Sequence, residues 1–285
     1  MKKRIITSIV ALAGIFPFFW FSEALELNNP LTYVFPLLFA AISFVSVWEM
    51  LHCLELNKVY FISVPLYFVA LGFPMLARVM RDDMQTYLRL AFFVALVLLL
   101  YYFACIVFHF GKVKLANVAL LYMSSLYIIA ANSGVIILRD IEGAGRFIYL
   151  MPFICAWTTD SCAYFAGRLF GKHKLIEAVS PKKTIEGAIG GLLCCAGATM
   201  LYGLIVCKIS GYVPNYLVLG IGGALIGVVS QIGDLIMSAI KREYGVKDFG
   251  WMLPGHGGLL DRFDSSMAVT VIVLIISQYF PLFTV

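Results

Sequence analysis

Residues 90–110 read LAFFVALVLLLYYFACIVFHF, a run without one Asp, Glu, Lys or Arg. A helix rises about 1.5 Å per residue, so about 20 apolar residues cross the roughly 30 Å hydrocarbon core of a bilayer. Backbone amides find no water there, and a helix pairs them internally. A membrane β-barrel would show alternating segments of about 10 residues instead; none appear. The stretch predicts a transmembrane helix. Similar runs lie near 5–23, 30–51, 59–77, 116–137, 148–166, 187–207, 216–238 and 266–284, about nine spans in all. The expected fold class is all-α, in a polytopic membrane protein.

Composition agrees. Of 285 residues 62% are hydrophobic and 13% charged, and the mean hydropathy is +0.94. A soluble domain carries about 25% charged residues to cover its surface, so a soluble enzyme or binding module is excluded. Met1-Lys2-Lys3-Arg4 before an apolar run resembles a signal peptide. The run is long and rich in aromatics (Phe16, Phe18, Phe19, Trp20, Phe21), so an uncleaved first anchor is expected. With the N-terminus inside, 15 of the 21 basic residues fall on the cytoplasmic side and 6 on the other. That orientation puts the C-terminus outside and both long polar loops, 167–186 and 239–265, in the cytoplasm. Compactness and short loops suggest a bacterial inner (plasma) membrane. The seven cysteines form no CxxC pair, and disulfide and zinc frameworks both fail on spacing.

The chain changes character near residue 150. Residues 1–150 hold 16 of the 23 Phe and 6 of the 24 Gly; residues 151–285 hold 7 Phe and 18 Gly. Bulky aromatics suit lipid-facing surface, and small residues let helices approach closely. The expected organisation is a scaffold of transmembrane helices over 1–150 and a catalytic transmembrane region over 151–285. Gly223 and Gly227 make a GxxxG spacing, and Gly187, Gly190 and Gly191 crowd the start of another span. Glu49 and Glu55 lie near a cytoplasmic helix end and read as solvated carboxylates.

Two carboxylates lie deep in apolar sequence: Asp160 in FICAWTTDSCAYFAGRLFGKHK and Asp234 in GVVSQIGDLIMSAIKR. A charge at such depth costs at least ~2.5 kcal/mol and marks function by default, the alternative being a carboxylate paired with a cation. Asp234, Ser238 and Lys241 share one helical face, and Asp160, Tyr164 and Gly167 repeat the spacing.

The loop after Asp234 is denser still. It carries Lys241, Arg242, Lys247, Asp248, His256, Asp261, Arg262 and Asp264, interrupted by Gly245, Gly250, Gly255, Gly257 and Gly258. Glycines let backbone N–H groups approach phosphate oxygens, and Lys and Arg neutralise phosphate charge. Asp261 and Asp264 can offer oxygens to Mg²⁺. Acids, bases and glycines together suit phosphoryl or nucleotidyl transfer, where positioning and charge neutralisation do the work; the alternative is an ordinary solvated loop. His256 is a site candidate without an assigned role. Upstream, Ser180 reads as a helix N-cap and Pro181 as the first helical residue. Lys182 and Lys183 would then occupy the first turn, where cations oppose the dipole unless an anionic ligand binds. Their alternative is contact with anionic lipid headgroups.

Residues 238–264 resemble the CDP-diacylglycerol synthase (phosphatidate cytidylyltransferase) signature along its whole length. Its elements stand as Ser238, Lys241-Arg242, Lys247-Asp248, Leu253-Pro254, His256-Gly257-Gly258 and Asp261-Arg262-Phe263-Asp264. SPKKTIEGAIGG and DSCAYFAGRLFGKHK also look like family segments. The resemblance implies a membrane-embedded homodimer that condenses phosphatidate with CTP, releases pyrophosphate and takes no nucleic acid. Asp234 and Asp261 resemble the carboxylates of a Mg²⁺ site, with K⁺ a candidate second ion and Asp264 an accessory acid. Ser238, Lys241, Arg242, Lys247 and Asp248 resemble positions around phosphates and metal. Lys182, Lys183 and Thr184 would line the nucleotide side; Asp160, Tyr164, His256, Gly257, Gly258 and Arg262 complete the binding candidates. The nearest rivals are a polyprenol kinase or a CDP-archaeol synthase, separable by acceptor assays. A CDP-alcohol phosphatidyltransferase would need an Asp-Gly-x-x-Ala-Arg run, which is absent. An ion-coupled transporter would need inverted repeats, and the halves are asymmetric.

Overall fold

The computed structural model describes residues 30–252 and 257–284. The expected span at 5–23, the basic residues Lys2, Lys3 and Arg4, and Leu253, Pro254 and His256 lie outside the described residues. Among the described residues eight helices of 20 residues or more follow in order: α1 Val34–Cys53, α2 Tyr60–Val79, α3 Met84–Phe108, α4 Leu115–Arg139, α5 Met151–Phe170, α6 Ile185–Ser210, α7 Tyr216–Glu243 and α8 Leu260–Tyr279. Each overlays one expected span. Among the described residues six helical stretches are long and apolar enough to cross a membrane: Leu31–Cys53, Tyr60–Val79, Arg81–Phe108, Leu115–Arg139, Ile185–Ser210 and Tyr216–Glu243. This is an all-α integral membrane protein. The two long helices outside that set are α5 and α8. They carry the polar runs Thr158-Thr159-Asp160-Ser161 and Asp261-Arg262-Phe263-Asp264-Ser265-Ser266.

Local chemistry sets several helix ends. The first N–H groups of a helix have no partner within it, and a short polar side chain supplies one. Asp83 caps α3 by accepting from the Thr86 N–H at 3.1 Å. Asn215 caps α7 by accepting from Val218 at 3.2 Å. Gly211 closes α6 in the left-handed region, φ +77°, which a residue without Cβ enters at little cost.

The start of α6 corrects one expectation. Ser180–Thr184 is a strand, β2, antiparallel to β1 (Lys174–Ile176), with Lys174 opposite Thr184 and Ile176 opposite Ser180. The N-cap is Thr184, whose Oγ1 accepts from the Gly187 N–H at 3.1 Å. Ser180 does not cap, Pro181 sits in the hairpin, and Lys182 and Lys183 precede the helix. Pro is tolerated on an edge strand because it owes the ladder no donor. Glu186 braces the turn that leads into the hairpin. Its Oε1 meets His173 Nδ1 at 2.7 Å, and its Oε2 accepts from the Lys172 and His173 N–H groups at 3.1 and 3.3 Å. A second two-stranded pair, β3 (Val213–Pro214) with β4 (Phe283–Thr284), ties the far end of the chain to the α6–α7 connection.

The chain divides into two compact units. The first comprises residues up to Asp140 with Val246–Arg262, the second 141–245 with 263–285. In the first unit α1, α2 and α4 pack on one another, while α3 lies against α2 and α4. From residue 92 to its C-terminal end α3 turns most of its surface outward: Phe92, Phe93, Leu100, Phe103, Val107 and Phe108 are exposed. Four residues of the helix are buried, Tyr87, Leu98, Tyr102 and Cys105. Tyr101 and Tyr102 donate to the carbonyls of Phe61 and Ile62 at 2.6 and 3.3 Å. Arg78 pairs with Asp140 at 3.0 Å, both side chains under 5% exposed, and reaches the Thr32 hydroxyl at 3.3 Å.

In the second unit α6 packs against α5 and α7 along glycine. A Cβ at Gly187 would lie 2.7 Å from the Ala163 carbonyl oxygen, one at Gly190 2.4 Å from Ala166 Cβ, and one at Gly191 2.9 Å from the Thr159 carbonyl oxygen. On the other side a Cβ at Gly223 would meet Thr199 Oγ1 at 2.2 Å, and one at Gly227 would meet Leu192 Cα at 3.0 Å. The glycines picked out by spacing are thus the contact points of the helices.

Candidate functional site

The polar residues fall into two groups, one in each unit. In the second unit, α7 places Asp234 half-buried in its C-terminal half, and β2 delivers Lys183 to pair with its Oδ2. Two turns further along α7, Lys241 is buried, and its charge is felt by Asp264 near the start of α8. Asp264 also feels Asp234 and Asp160. The Ser265 hydroxyl lies between two of these carboxylates, 3.0 Å from Asp160 Oδ2 and 3.3 Å from Asp264 Oδ1. The Ser265 N–H donates to the same Asp264 oxygen at 2.8 Å.

Three carboxylates and two lysines therefore share one neighbourhood. Like charges this close in a poorly hydrated place repel strongly, and the lysines and the hydroxyl offset part of that cost. The cluster remains net negative by one charge when every member is ionised.

The other site residues expected in this unit are Ser238, Arg242, Lys182, Thr184 and Tyr164. Ser238 is half-buried one turn beyond Asp234, Arg242 and Lys182 are exposed, and Thr184 is engaged as the α6 cap. Tyr164 is 60% exposed and packs edge-on with Phe165, ring centroids 5.5 Å apart. Gly167, on the same helical face, instead faces Thr184, whose Oγ1 would lie 2.8 Å from a Cβ there.

In the first unit the residues of the glycine-rich loop arrange themselves around Asp261 and Glu49. Asp261, in the first turn of α8, accepts through one oxygen, Oδ2, from the N–H groups of Phe249 at 2.8 Å and Gly258 at 2.9 Å. This pins two points of the loop to the helix. Gly257 adopts φ +84°, and a Cβ on it would crowd Asp248 at 3.1 Å, so glycine is required there on both counts. Lys247, Asp248 and Arg262 are exposed.

Glu49 of α1 contradicts its expected solvation. It is fully buried. Its Oε1 accepts from the Leu259 N–H at 2.8 Å and its Oε2 from the Leu260 N–H at 2.7 Å. Sequence reasoning missed it because a carboxylate near a helix end looks like a surface group; no local motif marks a partner 210 residues away. Ser265 was passed over for a similar reason, as one serine in a polar run.

A family model described as the cytidylyltransferase family matches residues 2–280. Among curated proteins, a phosphatidate cytidylyltransferase of Staphylococcus saprophyticus is 34% identical over 274 residues, covering 94% of this chain and 96% of that protein. Phosphatidate cytidylyltransferases of Staphylococcus haemolyticus and Staphylococcus aureus are 33% and 32% identical, each over the same shares of the two chains.

Proposed function

The chain belongs to the cytidylyltransferase family, and from that premise we propose that it transfers CMP from CTP to phosphatidate, giving CDP-diacylglycerol and pyrophosphate. The observation that carries this reading is the near-complete alignment, 94% of the chain, with relatives bearing that name. The geometry supports it. Both groups of polar residues combine carboxylates with lysines or with glycine N–H groups, as a reaction between two polyanions requires.

A phosphatidate phosphate oxygen forms the new bond to the α-phosphorus of CTP. The bond from that phosphorus to the oxygen bridging the β-phosphate breaks, and pyrophosphate leaves with the electron pair. Phosphatidate is already anionic near neutral pH, so no strong base is required. What the protein must do is hold the two anions together. Lys183 and Lys241, with Lys182, Arg242, Lys247 and Arg262, are proposed to neutralise phosphate charge. Gly257 and Gly258 are proposed to admit the nucleotide phosphates close to backbone N–H groups.

Mg²⁺ is proposed as the cofactor, with K⁺ a candidate second ion. Among the described residues no three His, Cys, Asp or Glu side chains gather as a metal cage. Mg²⁺ keeps several waters and takes one or two carboxylates plus substrate phosphates, so the residues present fit an ion delivered with CTP. Asp234 and Asp261 are the carboxylates proposed to hold it, with Asp264 accessory. When bound, the ion would neutralise charge on the departing pyrophosphate. We further propose that the protein works as a homodimer in a bacterial inner membrane with these loops in the cytoplasm, the first 150 residues serving as scaffold.

The test uses purified protein in detergent with phosphatidate, Mg²⁺ and CTP labelled at the α-phosphate. Label should move into an organic-extractable lipid, and Asp234→Asn and Asp261→Asn, folded by thermal melt, should lose at least about a hundredfold in rate, or roughly 2.7 kcal/mol. Label transfer to another lipid acceptor alone would change the substrate. No CTP-dependent product from folded protein would overturn the reading.

A further inference from the structure

The first N–H groups of α8 are satisfied by a carboxylate from the other end of the chain. Glu49 binds the Leu259 and Leu260 N–H groups with separate oxygens, and it does so from full burial. The surrounding backbone is shaped to receive it. A Cβ at Gly250 would lie 2.3 Å from Glu49 Oε1, and one at Gly258 2.5 Å from Oε2. Two glycines thus leave open the volume that the carboxylate fills. One residue further on, Asp261 holds Phe249 and Gly258. Phe249 and the stretch Gly258–Leu260 are therefore pinned by two carboxylates that use different amides and feel one another's charge.

Burying a carboxylate is costly unless it is paired or hydrogen-bonded. Among the described residues no lysine or arginine forms an ion pair with it; its partners are N–H groups at the N-terminal end of a helix, where the dipole also favours negative charge. An arrangement this costly fixes something that a neutral side chain would leave loose. We propose that Glu49 is a positioning residue for nucleotidyl transfer: its carboxylate sets the start of α8 and thereby the orientation of Asp261 and of the glycine-rich segment beside it. The consequence for catalysis rests on the cytidylyltransferase reading; the anchoring itself does not.

The Glu49→Gln variant keeps the shape but offers one acceptor and one NH₂ group to two N–H donors. Gly250→Ala keeps the charge and displaces the carboxylate. Asp140→Asn serves as a comparator, since it breaks a buried ion pair of the same unit away from this loop. Two readouts are taken on full-length protein in detergent. One is deuterium uptake of peptides covering 246–262; the other is kcat and half-saturating Mg²⁺ per folded enzyme.

Both loop variants are expected to raise uptake across 249–261, to lower kcat at least tenfold, and to raise half-saturating Mg²⁺. Asp140→Asn should lower the melting temperature while leaving uptake at 249–261 and both kinetic constants within twofold of the parent. Unchanged uptake in Glu49→Gln and Gly250→Ala overturns the anchoring. Raised uptake with kcat and Mg²⁺ dependence unchanged overturns the positioning role. Should the parent protein itself make no CDP-diacylglycerol, the functional reading fails, and the uptake arm still decides whether Glu49 anchors the loop.

Discussion

Ser265 contributes one hydroxyl to two carboxylates, and its single proton serves one of them at a time. Removing it leaves Asp160 and Asp264 to face each other with one donor fewer, and a hydrogen bond to a charged group contributes about 1.5–3 kcal/mol. Ser265→Ala should therefore lower the melting temperature by several degrees, and CTP turnover should fall with it. Ser265→Thr should retain turnover far better than Ser265→Val, a comparison that separates the hydroxyl from its volume. Lys183 makes a contrasting case. Its partner Asp234 is only about a quarter exposed, so Lys183→Met leaves a carboxylate without its counter-charge. We expect kcat/KM for CTP to fall at least tenfold, about 1.4 kcal/mol, measured by CTP titration at saturating phosphatidate. A variant within twofold of the parent would remove Lys183 from the nucleotide side.

At the scale of elements, the α5–α6 seam is built on absent side chains. Gly187, Gly190 and Gly191 let the α6 backbone reach the carbonyls and methyls of α5, and such close approach is the main source of helix association in lipid. Gly191→Val must push the helices apart or bend them. It should cost about 1–3 kcal/mol as overpacking does, read as a lowered melting temperature in detergent, whereas Gly197→Val, with nothing within 4 Å of its Cβ position, should be near neutral. The positions of these helices were legible in the sequence because apolar length is a local property, and GxxxG spacing marked where backbones meet. The hairpin before α6 was not. Ser180 and Thr184 are both good N-caps, and what selects Thr184 is the β1–β2 pairing, a contact that local spacing does not encode. The candidate site divides the same way: Asp160 and Asp234 announced themselves as charges inside apolar sequence, and Lys183, Lys241 and Asp264 as members of charged runs that resemble family segments. Glu49 and Ser265 acquire meaning only from partners distant in the chain.

For the molecule as a whole, the two long helices that fall outside the membrane-competent set, α5 and α8, are the ones that carry Asp160 and Asp264. Each polar group spoils its own helix for lipid, and each finds its partner on the other through Ser265. The consequence belongs to biogenesis. A nascent chain emerges in order, so α5 is made more than 90 residues before the helix that shares its carboxylate's hydrogen bond. A centrally placed Asp costs at least ~2.5 kcal/mol on insertion, and α5 must either wait at the bilayer surface or enter in company with α6, its glycine-matched neighbour. Reporter fusions read this directly. A chain ending after Phe170 should leave α5 incompletely inserted; one ending after Ser210 should insert it better; and Asp160→Asn should rescue the shorter chain. The residues that make the cluster chemically useful thus also set a schedule for assembly, in which α8, synthesised later, completes the environment of α5.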